Sequence, residues 1–120
     1  MNYAVVGFGT AGYHAVKAIR ACDQEGEIDV YSNTGRAPYN PMLTTYYAFG
    51  KLEFDGLFPF GDLEQIRKEI SFHLIQEPVI RVHAKEHLVE TKQQTKQYDR
   101  ILIATGARAF APPVKGLDPE

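Results

Sequence analysis

The stretch that decides the fold is Tyr3-Ala4-Val5-Val6-Gly7-Phe8-Gly9-Thr10-Ala11-Gly12, an apolar run that passes directly into a G-x-G-x-x-G turn. Because residues 1–6 read as a buried strand and residues 11–22 as a helix, the turn has the flanking elements that a nucleotide site requires. The first glycine permits the tight turn, the second lets the backbone approach a pyrophosphate, and the third lets the helix pack against the strand. The helix would point its free N–H groups at an anion. The stretch therefore predicts dinucleotide binding.

A second apolar run near the other end of the chain is Ile101-Leu102-Ile103-Ala104-Thr105-Gly106-Ala107-Arg108. The first motif alone indicates a dinucleotide. The two motifs together, separated by about the length of chain that forms one sheet, indicate flavin adenine dinucleotide (FAD). We therefore expect the residues that flank the two runs to converge on one ligand.

The segment between the motifs predicts an α/β domain. Residues 27–31 read as a second strand, so that strand, helix and strand form a right-handed βαβ unit with a parallel sheet. Residues 32–60 read as a long loop that contains a short helix around residues 43–49, and loops of this length are typically functional. A helix over residues 63–70 follows, capped by Asp62.

After this helix the apolar pattern changes to a period of two. Residues 71–75 predict a third strand, and an antiparallel β-meander is expected over residues 78–83, 86–91 and 97–105. Its tight turns are predicted at Ala84-Lys85 and at Gln93-Gln94. The expected fold is a single Rossmann-like α/β domain with a parallel sheet and a meander.

Composition excludes several classes of function. The net charge of −2 over 120 residues, without a basic cluster, argues against nucleic-acid binding. No apolar run reaches membrane-spanning length and the chain opens on a strand, so neither a membrane partner nor a signal peptide is expected, and the cytoplasm is the default compartment. A single cysteine, Cys22, excludes an internal disulfide, and we expect it to be a small core residue on the inward face of the first helix.

The order of these elements and motifs closely resembles the N-terminal part of the flavin domain in the pyridine nucleotide–disulfide oxidoreductase superfamily. The two motifs carry the resemblance together with Ala37-Pro38-Tyr39-Asn40-Pro41-Met42-Leu43-Thr44 and the exit segment over residues 111–118. The segment Pro38-Tyr39-Asn40 looks most like the branch of nitrite reductase flavin subunits and of rubredoxin and ferredoxin reductases. The resemblance implies a three-layer ββα FAD-binding domain over residues 1–120, the N-terminal portion of a larger flavoprotein and incomplete relative to the family.

The resemblance also implies which residues hold the cofactor. The glycine-rich turn would bind the pyrophosphate. The end of the second strand and the start of the meander would contact the adenosine, and the second motif would make further contacts with the cofactor. Arg108 matches a family arginine that can offer paired donors to phosphate or flavin oxygens. The predicted cofactor-binding residues are Gly7, Gly9, Thr10, Ala11, Gly12, Ser32, Asn33, Val79, Ala104, Thr105, Gly106 and Arg108.

The chain departs from the family pattern at three places. Most members have an acid at the end of the second strand that accepts hydrogen bonds from a ribose, whereas Ser32 and Asn33 stand here uncharged. The lysine that follows Leu-Ser in ferredoxin reductases is absent from the Thr44-Thr45 segment. Residues 32–49 contain no cysteine, which disfavours disulfide reduction and cysteine-dependent NADH oxidation.

Two groups of side chains have a functional and a structural interpretation. No metal site is expected from the four histidines, and surface or packing roles are favoured. An aromatic-rich stretch either shields a flavin, or forms a hydrophobic cluster beneath a loop, or is an interface; it contains Tyr39, Tyr46, Tyr47, Phe49, Phe54, Phe58 and Phe60.

The resulting functional hypothesis is the FAD-binding portion of an NAD(P)H-dependent flavoprotein oxidoreductase. NAD(P)H would bind through a domain not in this chain, because no second G-x-G-x-x-G follows Gly12, and no catalytic residue is assigned. The isolated chain is expected to bind FAD weakly or not at all and to show no turnover. The hypothesis leaves open a protein electron acceptor and a homo-oligomer for the full-length enzyme. The alternatives are a non-catalytic NAD(H)- or nucleotide-sensing Rossmann module and a purely structural domain.

Overall fold

The computed structural model describes residues 1–117 and contains seven strands and three α-helices in that range. The helices are α1 (Thr10–Cys22), α2 (Thr44–Ala48) and α3 (Leu63–Glu69), and short 3-10 turns cover Pro41–Leu43 and Phe54–Leu57. The strands are β1 (Asn2–Val6), β2 (Glu27–Tyr31), β3 (His73–Ile75), β4 (Val79–His83), β5 (Leu88–Thr91), β6 (Thr95–Gln97) and β7 (Arg100–Ile103).

The central sheet has four parallel strands in the order β3-β2-β1-β7. β1 lies between β2 and β7, with Val6 opposite Tyr31 on one side and opposite Ile103 on the other. The predicted βαβ unit with parallel strands is therefore confirmed. All four strands end at the same edge, and the glycines of the two motifs follow the ends of β1 and β7 there.

Alternation along the strands separates two hydrophobic layers. On one face Val5 and Val30 pack with α1 and α3 through Val16 and Ile66, all of them buried. On the other face Ala4 and Tyr31, each one residue away, pack with Val89 and Tyr98 of the meander. Because successive side chains of a strand point to opposite faces, β1 and β2 contribute to both layers. This three-layer order of meander, parallel sheet and helices confirms the predicted fold class.

The predicted course of the last meander strand is wrong. One strand over residues 97–105 was expected, but the structure has two: β6 pairs antiparallel with β5 in the meander, and β7 pairs parallel with β1 in the central sheet. The change of sheet occurs at Tyr98-Asp99, where the Asn2 N–H donates to the Asp99 carboxylate over 2.7 Å and the Asp99 N–H donates to the Asn2 carbonyl over 2.9 Å. The meander also turns over residues 84–87 rather than at Ala84-Lys85 alone, with His87 at φ 57°.

The helices follow the sequence pattern with one exception. Asp62 and Gln65 form the expected capping box of α3, each side chain accepting the other's backbone N–H over 2.9 Å. Cys22, however, is exposed rather than buried, because α1 turns Gly12, Tyr13 and Val16 toward the sheet and its last turn carries no buried residue.

A buried polar cluster ties the meander to the central sheet. The Asp29 carboxylate of β2 is 3% exposed and accepts hydrogen bonds from Lys96 Nζ and from the Tyr98 hydroxyl, each over 2.7 Å. His73 Nδ1 lies 3.1 Å from its other oxygen. Burial raises the pKa of this carboxyl, but the hydrogen bonds from Lys96, Tyr98 and His73 outweigh burial, so that the pKa lies below its usual value.

Candidate functional site

A cavity of about 290 Å³ opens at the carboxyl edge of the parallel sheet. It is bounded by the β1–α1 turn, by the segment after β2, by the entry to β4 and by the exit from β7. The crevice beyond the carboxyl ends of parallel strands is where open α/β sheets bind ligands. The lining residues are Val6, Gly7, Phe8, Gly9, Tyr31, Ser32, Asn33, Thr34, Arg36, Ala37, Tyr39, Glu77, Val79 and Thr105.

The glycines of the β1–α1 turn have distinct physical roles. Gly7 has φ +105°, and a Cβ there would overlap the Ala104 carbonyl, so a side chain is excluded by conformation and by contact with the exit of β7. A Cβ on Gly12 would overlap the Gly7 carbonyl, which is the close helix–turn approach that the motif predicts. By contrast, a Cβ on Gly9 would have no protein atom within 4 Å. The space beside Gly9 is therefore open to a ligand.

The N-terminus of α1 is suited to an anion. Gly9 is the N-cap residue, no side chain caps the helix, and the first turn contains no acid. The first backbone N–H groups of an α-helix have no carbonyl partner within the helix. With the positive end of the helix dipole, these groups form a cradle that fits a phosphate. A dinucleotide pyrophosphate matches this donor set and the open space at Gly9.

The two sequence motifs lie next to each other at this edge of the sheet. The Ala104 N–H donates to the Val6 carbonyl over 2.8 Å, and the Gly7 N–H donates to the Tyr31 carbonyl over 2.8 Å, so that the ends of β7, β1 and β2 are held together. Six of the twelve predicted residues line the one cavity: Gly7, Gly9, Ser32, Asn33, Val79 and Thr105. Thr10, Ala11 and Gly12 form the adjoining first turn of α1. Ala104, Gly106 and Arg108 do not line it.

Ser32 has a structural task as well. It is 7% exposed, and its Oγ accepts the N–H of Gly35 over 3.0 Å while its own N–H donates to the Ile75 carbonyl over 3.0 Å. Asn33 is exposed at the rim. The polar residues after β2 thus offer a ligand fewer free hydrogen-bond acceptors than the sequence alone suggests, because the Ser32 oxygen already accepts a hydrogen bond within the loop.

Several lining residues escaped sequence analysis, above all Glu77. It follows β3, and its Oε2 accepts the Thr91 hydroxyl over 2.7 Å. Arg36, from the loop after β2, also lines the cavity. The signal that can identify Glu77 is topological, since it comes two residues after the end of a parallel strand next to β2. A wider opening of about 840 Å³ adjoins Arg36 and Ala37, and none of the predicted residues lines it.

The aromatic-rich stretch divides into two parts. Phe60 stacks on Tyr13 with ring centroids 4.0 Å apart, and Phe58 packs against the helix-side core, as expected for a structural cluster. Tyr47, Phe49 and Phe54 are exposed, and Tyr39 is an exposed residue of the cavity lining. Only Tyr39 therefore lies where a ligand in this cavity would touch it.

Two of the four histidines each contact one carboxylate. His73 contacts Asp29, and His83 Nε2 lies 2.9 Å from Glu90 Oε2 across two meander strands. Within residues 1–117 no group of three or more His, Cys, Asp or Glu side chains is arranged to hold a metal ion. No helix in the same range has both the length and the apolar character that crossing a membrane requires.

The fold and the cavity define a nucleotide-binding α/β domain of the Rossmann type, with the glycine-rich turn at its centre. Residues 1–120 match the family model described as pyridine nucleotide-disulphide oxidoreductase. The chain belongs to this family. It spans less than a third of the length of the curated relatives that it matches.

Individual relatives agree with this assignment. Subunit epsilon of an NADH-dependent phenylglyoxylate dehydrogenase from Aromatoleum evansii is 29% identical over 118 residues, which cover 98% of this chain and 28% of that protein. A solved NAD-dependent persulfide reductase from A. fulgidus superposes with a TM-score of 0.85 at 27% identity, covering 95% of this chain and 22% of its own. The covalent putidaredoxin reductase–putidaredoxin complex gives a TM-score of 0.80 at 25% identity, covering 96% and 28%.

Proposed function

We propose that this chain is the FAD-binding portion of an NAD(P)H-dependent flavoprotein oxidoreductase, which passes electrons from a nicotinamide through FAD to an acceptor. The observation that carries the proposal is the single cavity that joins the glycine-rich turn, the end of β2 and the exit of β7. When bound, FAD supplies the hydride-accepting and electron-donating chemistry. The protein residues bind and orient it.

The parts of the cofactor are assigned by the chemistry of each side of the cavity. The N–H groups of Gly9, Thr10 and Ala11 would hold the pyrophosphate at the positive end of α1. The adenosine would lie toward β2 and β4, against Asn33 and Val79. The exit of β7, with Ala104, Thr105 and Gly106, would face the flavin side, and Arg108 would follow it.

The shape of the molecule supports the proposal that residues 1–120 are one portion of a larger flavoprotein domain. The radius of gyration is 16.2 Å, whereas a compact chain of this length would have ~13.6 Å. The dimensions of 46 × 35 × 20 Å describe a slab rather than a sphere. The cavity itself lies near the lower end of ligand-site volumes, so a dinucleotide would extend beyond it.

The acceptor is proposed to be reduced without a thiol from this chain. Cys22 lies at the far end of α1 from the cavity, and a 13-residue helix is about 20 Å long. A partner protein is the proposed acceptor, by analogy with the putidaredoxin reductase–putidaredoxin complex. The proposed compartment is the cytoplasm, where NAD(P)H is available as reductant. The full-length enzyme is also proposed to form a homo-oligomer, and light scattering would measure its mass.

The proposal is tested by thermal unfolding of the chain with FAD, FMN and NADH at matched millimolar concentrations. We expect weak binding, so that flavin is lost during purification, whereas added FAD raises the unfolding temperature and FMN, which lacks adenosine, does not. No NADH oxidation is expected from this chain alone. Stabilisation by NADH in preference to FAD would favour the nucleotide-sensing module, and no stabilisation by either would favour a structural domain.

A further inference from the structure

We propose that Glu77 is the residue that recognises the ribose of the bound nucleotide, supplying from β3 the acidic acceptor that is absent from the end of β2. This inference rests on the proposed function of the cavity. Glu77 is the only carboxylate that lines the cavity within the part of the chain that the structure describes.

The geometry of Glu77 holds its carboxylate in place. The side chain is half-buried, and Oε2 accepts the hydroxyl hydrogen of Thr91, itself 6% exposed, over 2.7 Å. The Glu77 backbone N–H donates to the Ile75 carbonyl over 3.0 Å, and Pro78 follows, which disfavours helical backbone at Glu77. The orientation of the carboxylate is therefore set before any ligand arrives, which reduces the entropic cost of binding.

The remaining oxygen is available for a ligand. Within residues 1–117, Glu77 Oε1 accepts no hydrogen bond from a protein group, and no cation lies within ion-pair distance of the carboxylate. Directly after β2, the Ser32 oxygen already accepts a hydrogen bond from the Gly35 N–H. Glu77 is thus a strong, uncommitted acceptor on this side of the cavity.

The chemistry of the cavity selects a sugar as the group beside Glu77. The anionic part of a nucleotide belongs at the positive end of α1, next to β1, and a second phosphate would be repelled by the Glu77 carboxylate. The strand order β3-β2-β1 places Glu77 on the opposite side of β2 from that turn. An uncharged group with two O–H donors fits this position, and in a nucleotide that group is the ribose diol.

The test combines a change in the protein with a change in the ligand. Binding of ADP and of 2′,3′-dideoxy-ADP is measured by calorimetry for the unmodified chain, for Glu77→Gln and for Glu86→Gln. Glu86 is an exposed acid in the turn between β4 and β5, away from the cavity, and is the matched control. Glutamine keeps the shape of Glu77 and retains an oxygen that can accept the Thr91 hydroxyl.

We expect the unmodified chain to bind ADP about tenfold more tightly than the dideoxy nucleotide, because hydrogen bonds to a charged group are the stronger ones. Glu77→Gln should weaken ADP binding by a similar factor and remove the preference, while Glu86→Gln should change neither. A preference for ADP that survives Glu77→Gln would overturn the inference but leave the proposed function intact. Equal binding of the two nucleotides by the unmodified chain would overturn it independently of any variant's folding. Failure to bind ADP, dideoxy-ADP and FAD would overturn both.

Discussion

At the scale of single residues, Gly7 and Gly9 belong to one motif but face different surroundings. Gly7 has a positive φ and abuts the Ala104 carbonyl, whereas Gly9 faces open space in the cavity. Gly7 is therefore required by the protein itself, whereas Gly9 leaves open the space that the proposed ligand would occupy. The spacing of the motif predicts both positions but does not distinguish these requirements, because the neighbour of Gly7 lies almost 100 residues away in the sequence.

Alanine substitutions separate the two requirements. Gly7→Ala should lower the free energy of unfolding by about 2–3 kcal/mol through backbone strain and overlap with Ala104. Gly9→Ala should lower it by no more than about 1 kcal/mol, the usual cost of alanine at an N-cap, but weaken ADP binding about tenfold, since the new methyl group would occupy ligand space. Urea unfolding and calorimetry measure the two effects. Normal ADP affinity in Gly9→Ala would contradict the assignment of the pyrophosphate to this turn.

Residue-scale errors in sequence analysis have identifiable causes. Helical periodicity predicts that Cys22 lies on the inward face of α1. Periodicity does not show where a helix extends beyond the sheet that covers it, and the last buried residue of α1 is Val16. Glu77 was not predicted as a site residue because the Rossmann sequence pattern places the ribose-binding acid at the end of β2. Its position in the cavity depends on β3 lying beside β2, which a single sequence does not reveal.

At the scale of secondary-structure elements, strong local sequence signals were sufficient to predict the type of element. The βαβ unit follows from the apolar run and the glycines, and α3 follows from the Asp62–Gln65 capping box. The division between β6 and β7 was missed because residues 95–103 contain no glycine or proline that marks a break. The chain changes sheets there through paired hydrogen bonds between Asp99 and Asn2, and such long-range contacts have no local signature.

The meander is held on the sheet by the Asp29 cluster, which predicts an acid-sensitive stability. The pKa of Asp29 is lowered in the folded protein, so its stabilising contribution is present above the carboxyl's unfolded value and is lost as the pH falls through the lowered folded value. Asp29→Asn should cost about 2–3 kcal/mol at pH 7 by removing the charged partner of Lys96 and Tyr98. Urea unfolding from pH 7 to pH 2 should show the two proteins converging at low pH, with Glu69→Gln as an exposed control. A constant difference at all pH values would contradict this.

At the scale of the whole molecule, one side of the parallel sheet is open. Within residues 1–117, β7 pairs only with β1, and its Leu102 and Ile103 are 44% and 61% exposed. Exposed apolar edge strands promote association between chains. An edge of this kind is consistent with the slab-like dimensions of the chain and with the proposal that it is one portion of a larger domain.

Self-association through this edge is testable by substitution. The isolated chain should form concentration-dependent oligomers, and Leu102→Lys should shift them toward the monomer because a charge on an edge strand blocks pairing. Met42→Lys is the matched control, since Met42 is 81% exposed but lies outside both sheets. Light scattering during size-exclusion chromatography measures the mass. Equal masses for the unmodified chain and Leu102→Lys at all concentrations would contradict a role for this edge.

The contact between Gly7 and Ala104 has a consequence for biosynthesis. The glycine-rich turn is synthesised before its contact partner, the carbonyl of Ala104, which directly follows β7 and emerges almost 100 residues later. The pocket therefore stays incomplete in a nascent chain until β7 has been synthesised, although N-terminal elements leave the ribosome and begin to fold first. FAD, the proposed ligand, would therefore bind only after the last strand has docked, and it would stabilise this region late rather than direct its early folding.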